Sequence, residues 1–310
     1  MADKVIVFGA TGTIGKFLIA SLIQNSKSFE RLAIFARSST IDSKPEYVQF
    51  LKDSGVEIIT GDVRNEADVL KAYEGFNIVV SAVGRNVILD QIDLIRLAEK
   101  TPNIKRFFPS EFGTDIEFGP KSPNEKPHQL KLKVRGYIKN EVKRLEHTYL
   151  VTGPYAEFYI GKGFGDQKAG GFDVQAKKAV LCGTGDDKVA LMTMPDVGDA
   201  LVSAILHPEA SKNRALIVNS FTTTPHEILA EYEKQTGSKW DVSYTLLDEL
   251  VHLEEQAWNA EEPRATGFTL RRVWTEGGTL YDRPRDNEAI GFTTPDSLAD
   301  AVATAIKVQS

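Results

Sequence analysis

The chain has 310 residues, of which 42% are hydrophobic and 26% are charged, and its formal net charge at pH 7 is −6. This length allows a large buried core, and the composition is typical of globular proteins. The acidic balance gives no electrostatic reason to expect nucleic-acid binding, and no apolar run approaches the ~20 residues that a membrane span needs. With one cysteine, Cys182, and no signal-peptide pattern, we expect a cytoplasmic protein.

The first predicted element is a buried strand that leads directly into a glycine-rich turn. Residues 5–8 are all apolar, Gly9, Gly12 and Gly15 follow in a G-x-x-G-x-x-G pattern, and residues 16–23 continue as a helix. Glycine lets the backbone approach a pyrophosphate closely, and a helix start offers it unpaired N–H groups. We therefore predict a dinucleotide site here. The alternative is a tight strand–helix turn without a ligand.

Strands and helices then alternate as far as residue 153. We predict helices over 47–54, 66–73, 88–100 and 130–145, and strands over 31–36, 56–60, 77–81, 105–108 and 148–152. This alternation indicates an α/β, Rossmann-type doubly wound parallel sheet. We expect residues 1–153 to form the dinucleotide-binding domain. Residues 154–310 would form a smaller α+β substrate-binding region, from which a strand or helix could return to the first domain.

One long irregular segment, residues 113–128, interrupts this alternation. It combines glycines, prolines and charged residues just before the helix predicted at 130. Loops of this length within a domain are typically lids or linkers, so we expect it to close over a site.

The last half of the chain has a looser pattern. Strands predicted at 179–182 and 189–192 flank a glycine-rich turn at 183–187 and indicate a hairpin. Helices are predicted at 195–206 and 225–235, with a strand at 215–218 between them. Trp240, Trp258 and Trp274 either fill a small core or line an aromatic pocket, and the sequence leaves both open.

The end of the second strand selects between the two nicotinamide cofactors. An acidic residue there would accept a hydrogen bond from a ribose hydroxyl, whereas this chain has Arg37, followed by Ser39, Thr40 and Lys44. Arginine pairs with the 2′-phosphate of NADP. Asp62, after the third strand, either lines the adenine pocket or makes an ordinary turn. Small residues at 82–84 follow the fourth strand, where the cofactor would pass close to the backbone.

The source of the catalytic proton is less evident from the pattern. No tyrosine has a lysine four residues later, so the usual Tyr-x-x-x-Lys acid is missing. Lys131 and Lys133, with Arg135, begin the helix after the irregular segment, and spacing alone does not choose between the two lysines. The histidines show no metal-ligand spacing, so no metal site is expected.

These motifs together resemble the isoflavone reductase-like group of the NmrA-like, atypical short-chain dehydrogenases, and the carboxyl-terminal part is more similar to fungal members. The resemblance is carried by residues 9–15, 37–40, 88–91, 106–113 and 151–153. Lysine followed by arginine four positions later is the family's catalytic spacing, so the resemblance implies Lys131 as acid or base and Arg135 as a cofactor or supporting contact. The expected cofactor contacts are Gly9, Thr11, Gly12, Thr13, Ile14, Gly15, Arg37, Ser39, Thr40, Lys44, Asp62, Ala82, Val83, Gly84, Ser110, Glu111, Phe112, Lys131, Arg135, Gly153 and Pro154.

The resemblance implies an NADPH-dependent reductase acting on a small aromatic or conjugated molecule. The alternative is a non-catalytic NADP(H)-sensing regulator that acts through protein partners, since some relatives bind the cofactor in this way. A sensor would need the glycine-rich turn but no catalytic lysine. We expect no nucleic-acid or membrane partner, and a homodimer stays open.

Overall fold

The computed structural model describes residues 2–163, 166–293 and 296–310. The first half of the chain consists of β1 (Asp3–Phe8), α1 (Gly15–Gln24), β2 (Phe29–Ala36), α2 (Ser38–Ser43), α3 (Pro45–Asp53), β3 (Glu57–Thr60), α4 (Glu66–Tyr73), β4 (Ile78–Ser81), α5 (Asp90–Lys100), β5 (Arg106–Phe108), α6 (Gln129–Glu141) and β6 (Glu146–Val151). The second half consists of α7 (Ala156–Tyr159), β7 (Gly171–Asp173), β8 (Lys178–Cys182), β9 (Val189–Leu191), α8 (Met194–Leu206), α9 (Pro208–Ser211), β10 (Arg214–Ile217), β11 (Phe221–Thr223), α10 (Pro225–Thr236), β12 (Asp241–Thr245), α11 (Leu247–Asn259), α12 (Ala265–Thr275) and α13 (Leu298–Gln309).

Seven parallel strands form the central sheet, in the order β10-β6-β5-β4-β1-β2-β3. Val5, Ile6 and Val7 on β1 are fully buried, as the continuous apolar run predicts for a strand covered on both faces. The strand order reverses beside β1, which lies between β2 and β4. In such sheets ligands bind at the carboxyl ends of the strands next to this reversal, which places the glycine-rich turn at the expected site.

The helices cover both faces of the sheet. Leu18 on α1 and Val197 on α8 belong to the core on one face, while Val69 on α4, Leu94 on α5 and Ile138 on α6 belong to the core on the other. The second half of the chain thus contributes both α8 and the edge strand β10 to the first unit.

The remaining elements form a smaller layer. β8 lies between β7 and β12 in a three-stranded sheet, and β9 pairs with β11. Their core contains Tyr232 and Trp240, whose rings lie 4.8 Å apart between centroids. Trp274 belongs to the same core, so two of the three tryptophans fill it. None of the helices in the described ranges is long and apolar enough to cross a membrane.

One local prediction is wrong, and several elements were not predicted. The hairpin expected from residues 179–192 does not form, because β8 pairs with β7 and β12 while β9 pairs with β11. Residues 183–187 lie between β8 and β9 as predicted, but they do not join two paired strands. The chain leaves β8 beside β12, where the Gly183 amide donates to the Thr245 carbonyl at 2.9 Å. The short helix α2, directly after Arg37, was not predicted, since five of its six residues are polar and its single apolar residue, Ile41, gives no apolar periodicity.

Candidate functional site

The glycine-rich turn is shaped by close backbone contacts. Gly9 has φ of +79°, and a Cβ built on it would lie 2.5 Å from the Ala82 carbonyl oxygen. A Cβ on Gly15 would overlap the Gly9 carbonyl, whereas one on Gly12 would meet that oxygen only at 3.2 Å. The first and third glycines are therefore needed by the turn itself, and the second leaves space above it for a ligand.

The start of α1 offers donors to that space. The amides of Thr13 and Ile14 donate to no partner within the described residues, and the first turn of α1 contains no acidic residue. Unpaired amides at a helix start favour an anion. Lys44 stabilises the turn, because its Nζ donates to the Thr11 carbonyl at 2.8 Å.

Arg37 lies at the end of β2, with its guanidinium exposed. Its Nη2 lies 3.2 Å from Oδ1 of Asp62, which is also exposed. A hydrogen bond from the Arg64 amide, together with Arg37, holds the pKa of Asp62 below its usual value. Ser39 and Thr40 follow in the first turn of α2. The end of β2 lies beside the end of β1, because Phe8 pairs with Phe35, and this is the strand end at which such folds distinguish the ribose.

A groove of about 430 Å³ runs from the turn across the carboxyl ends of the strands. It is lined by ten of the predicted contact residues: Gly12, Thr13, Ile14, Ala82, Val83, Gly84, Ser110, Glu111, Phe112 and Lys131. Ser110 is fixed there by its hydroxyl, which donates to the Val83 carbonyl at 2.9 Å, and by its amide, which donates to the Gln91 side chain at 2.7 Å.

A second cavity, of about 330 Å³, adjoins the groove. Gly153 and Pro154 line it, and six residues line both cavities: Arg85, Phe112, Pro127, Lys131, Tyr155 and Phe158. Trp274 and Leu270 of α12 form the far wall. Trp274 thus lies in the core of the smaller layer and also lines an aromatic pocket, so both interpretations of the tryptophans apply to it.

Lys131 lies in the first turn of α6, where the two cavities meet. Its Nζ donates to the Glu111 carbonyl at 2.5 Å. Burial lowers the pKa of Lys131 below its usual value; Glu111 opposes this, and Arg85 and Arg135 lower the pKa further. A lysine with a lowered pKa can exchange a proton nearer to neutral pH. Lys133 is exposed on the same helix and lines neither cavity.

Arg135 lies behind the groove lining and does not line either cavity. Its Nε and Nη2 each lie 3.1 Å from a carboxylate oxygen of Glu111, and its Nη1 lies 2.6 Å from Glu117. Burial alone would lower the pKa of Arg135, but the two carboxylates raise it above its usual value. The ion pair between Arg135 and Glu111 fixes the position of Glu111. It thereby fixes the Glu111 carbonyl, which accepts the hydrogen bond from Lys131. The geometry favours the supporting role.

The irregular segment 113–128 covers the second cavity and is tied to the last third of the chain. Trp274 Nε1 donates to Thr114 Oγ1 at 2.9 Å, and the Tyr281 hydroxyl donates to Asp115 at 2.9 Å. Its carboxyl end forms an ion pair through Glu125, at 2.6 Å from Arg272. The segment is therefore well placed to act as a lid, which stays a prediction.

Several side chains at this site were not predicted from the sequence, among them Tyr155 and Phe158, which line both cavities. Arg85, directly after Gly84, lines both cavities, and only its position in the loop that follows β4 could have indicated it. His128 is buried in the second cavity wall; its Nδ1 donates to the Ser122 carbonyl at 2.9 Å, and burial lowers its pKa. Within the described ranges, no three histidine, cysteine, aspartate or glutamate side chains are grouped as a metal site would require.

Comparisons with known proteins agree on one family. The sequence model of the NmrA-like family matches residues 1–258. The chain is 30% identical to oxidoreductase aprR of Aspergillus flavus, over 86% of this chain and 83% of that protein. It is 31% identical to isoflavone reductase homolog IRL of Zea mays, over 78% of this chain and 77% of that protein.

Among solved structures, the fold is similar to that of leucoanthocyanidin reductase from Vitis vinifera in its binary complex with NADPH. The TM-score is 0.80, and the match covers 98% of this chain and 99% of the other at 21% identity. The central sheet and the smaller layer are thus both shared with that structure.

Proposed function

The chain belongs to the NmrA-like family, and from this we propose that it is an NADPH-dependent reductase that transfers hydride to an aromatic or conjugated small molecule. Its relatives aprR and IRL are named as an oxidoreductase and an isoflavone reductase homolog, and the similar solved structure is a reductase with NADPH. These names support the reaction class.

The residues present fit the cofactor. The free space above Gly12, with the unpaired amides of Thr13 and Ile14, suits a pyrophosphate, and Arg37 suits a 2′-phosphate. The groove continues past residues 82–84 and Ser110 to Lys131, so its far end would hold the nicotinamide. When bound there, the reduced nicotinamide supplies the hydride.

Lys131 would serve as the general acid or base. Lys131 lines both cavities, so its amine would exchange a proton with an oxygen of a molecule in the second cavity. The Glu111 carbonyl orients the amine, and the neighbouring Arg85 and Arg135 favour its neutral form. Phe112, Tyr155, Phe158 and Trp274 would pack against the substrate and exclude water.

The meeting of the two cavities at Lys131 is the observation that supports this proposal most. A regulator that senses only the cofactor would have no use for a second, aromatic-lined cavity at the end of the groove. Its volume of about 330 Å³ falls within the range of small-molecule sites.

The test is NADPH oxidation with a panel of aromatic enones, ketones and quinones, using the wild type and two lysine variants. We expect Lys131→Ala to retain NADPH affinity and to lower kcat by at least ~10²-fold, because general acid–base catalysis contributes about that much. Lys133→Ala is the matched control, since this exposed lysine lies on the same helix, and it should keep its activity.

The pH profile adds the direction of proton transfer. If Lys131 donates the proton, kcat falls as the pH rises through its lowered pKa; if it accepts the proton, kcat rises there. Normal turnover by Lys131→Ala would remove the catalytic role. NADPH binding without turnover of any substrate would favour the sensing regulator.

A further inference from the structure

The second cavity carries charge of one sign only. Its lining includes two basic side chains, Arg85 and Lys131, and no aspartate or glutamate. His128 is the third basic side chain of the lining, and burial lowers its pKa. The protein as a whole has a formal net charge of −6, so this positive lining opposes the overall balance.

Most polar side chains of this lining are already engaged within the protein. Trp274 donates to Thr114, the Tyr155 hydroxyl donates to the Phe112 carbonyl, and Lys131 donates to the Glu111 carbonyl. These side chains have hydrogen-bond partners within the protein and need no ligand. They therefore give no reason for the cavity to be lined by basic side chains.

Arg85 is in a different situation. Its Nη1 donates to the Pro127 carbonyl at 3.2 Å, and among the described residues no carboxylate forms an ion pair with it. Its remaining N–H groups can therefore donate hydrogen bonds to a ligand at the junction of the two cavities. This contact also ties the guanidinium to the segment 113–128, which contains Pro127.

We propose that the substrate of this site is an aromatic carboxylate, whose carboxylate group is bound by Arg85 while its ring packs against the aromatic wall of the second cavity. The planar fork of a guanidinium matches a carboxylate in two parallel hydrogen bonds. The apolar side chains around it, among them Phe112, Phe158 and Leu270, reduce solvent screening of that pair. This inference rests on the proposed function and names the class of its substrate.

Arg85 also lines the cofactor groove, which gives a second interpretation. There it would bind a phosphate of the cofactor instead of the substrate. The two interpretations differ in the ligand whose affinity depends on Arg85, so binding measurements separate them.

The experiment is calorimetric titration in two steps. NADP⁺ is titrated first into wild type, Arg85→Gln, Arg85→Lys and Lys178→Gln. Cinnamate and its neutral methyl ester are then titrated into each NADP⁺-saturated protein. Lys178→Gln is the control for a lost cation, because this exposed lysine lies on β8, away from both cavities.

We expect wild type and Lys178→Gln to bind cinnamate at least about 10-fold more tightly than methyl cinnamate, the scale of hydrogen bonds between charged groups. Arg85→Gln should bind the acid and the ester within about twofold of each other, because glutamine keeps hydrogen bonding and loses the charge. Arg85→Lys should restore part of the preference. Lys178→Gln should bind NADP⁺ like the wild type, and any loss of NADP⁺ affinity in Arg85→Gln should be smaller than its loss of acid preference.

Equal binding of acid and ester by the wild type would overturn the inference, as would a loss of NADP⁺ affinity in Arg85→Gln that leaves the acid preference intact. If NADP⁺ binds, neutral substrates are reduced and no preference for the acid is seen, only this inference fails. If NADP⁺ does not bind the wild type in the first titration, the proposed function fails together with it.

Discussion

At the scale of single residues, two arginines beside carboxylates differ in what they can bind. The Arg135 side chain is 5% exposed and shares the carboxylate of Glu111, which is also buried, so its donors are committed to the protein. The Arg37 side chain is 46% exposed, and its contact with Asp62 is 3.2 Å long. An exposed pair of this kind contributes at most about 1 kcal/mol, so Arg37 can exchange Asp62 for a phosphate at little cost.

We therefore expect NADPH to bind more tightly than NADH by about 1–3 kcal/mol, the scale of a charge-assisted contact. Arg37→Ala should remove this preference without weakening NADH binding. Asp62→Asn, which releases Arg37 from its partner, should keep or increase it. The measurement is titration of both cofactors by fluorescence or calorimetry. An unchanged preference in Arg37→Ala would show that other groups select the 2′-phosphate.

At the scale of elements, the glycines of the turn between β1 and α1 have different roles: Gly9 and Gly15 allow the turn itself, and Gly12 leaves space for a ligand. We expect Gly12→Val to abolish NADPH binding while the melting temperature stays close to that of the wild type. Gly12 lines the groove, and a Cβ there would lie 3.2 Å from the Gly9 carbonyl oxygen and 3.9 Å from the Ala82 carbonyl oxygen, without overlapping the backbone. Calorimetric titration and thermal unfolding measure the two effects.

Gly15→Val is the matched contrast, because its Cβ would overlap backbone of the same turn and should destabilise the fold itself. Normal NADPH binding by Gly12→Val would mean that the turn has no role in holding the cofactor.

The segment 113–128 is the second element with a testable property. Its ion pair with Arg272 must break for the segment to open, and both side chains of the pair are 12% exposed. We expect Glu125→Gln to raise the rate of limited proteolysis within this segment about fivefold, for a loss of about 1 kcal/mol, and NADPH with substrate to suppress cleavage. Glu249→Gln, which breaks the exposed pair with Lys168, is the control. Equal cleavage of both variants, with or without ligands, would show that the segment is not a lid.

The elements also show how far the sequence determines this structure. The helix predicted at 66–73 is observed with those bounds, and β1 and the glycine-rich turn follow from local apolar and glycine patterns. Pairing between distant strands is not encoded in the local sequence. Local patterns therefore predicted a hairpin at 179–192 that does not form, and they could not place β10 beside β6. The second cavity is likewise assembled from residues 85 to 274, and only the resemblance singled out Lys131 within it.

At the scale of the whole molecule, the two halves of the chain are joined through helix packing. α8 belongs to the second half but packs on α1, the helix that begins at the glycine-rich turn. Gly198 allows the close approach: a Cβ there would lie 2.5 Å from the Phe17 carbonyl oxygen and would overlap the Ser21 hydroxyl. Any enlargement at this point must move α8 relative to α1, and with it the start of the cofactor groove.

We therefore expect Gly198→Ala to lower the free energy of unfolding by about 1–3 kcal/mol, the usual cost of overpacking, and to weaken NADPH binding through the displaced α1. Gly136→Ala on α6 is the matched control, because its Cβ would meet nothing within 4 Å. Alanine should stabilise that helix by about 0.5–1 kcal/mol, since glycine loses more backbone freedom on folding. Denaturant unfolding with and without NADPH measures both variants. If Gly198→Ala is as stable as Gly136→Ala, α8 can shift on α1 without cost, and the second half of the chain does not fix the position of the cofactor turn.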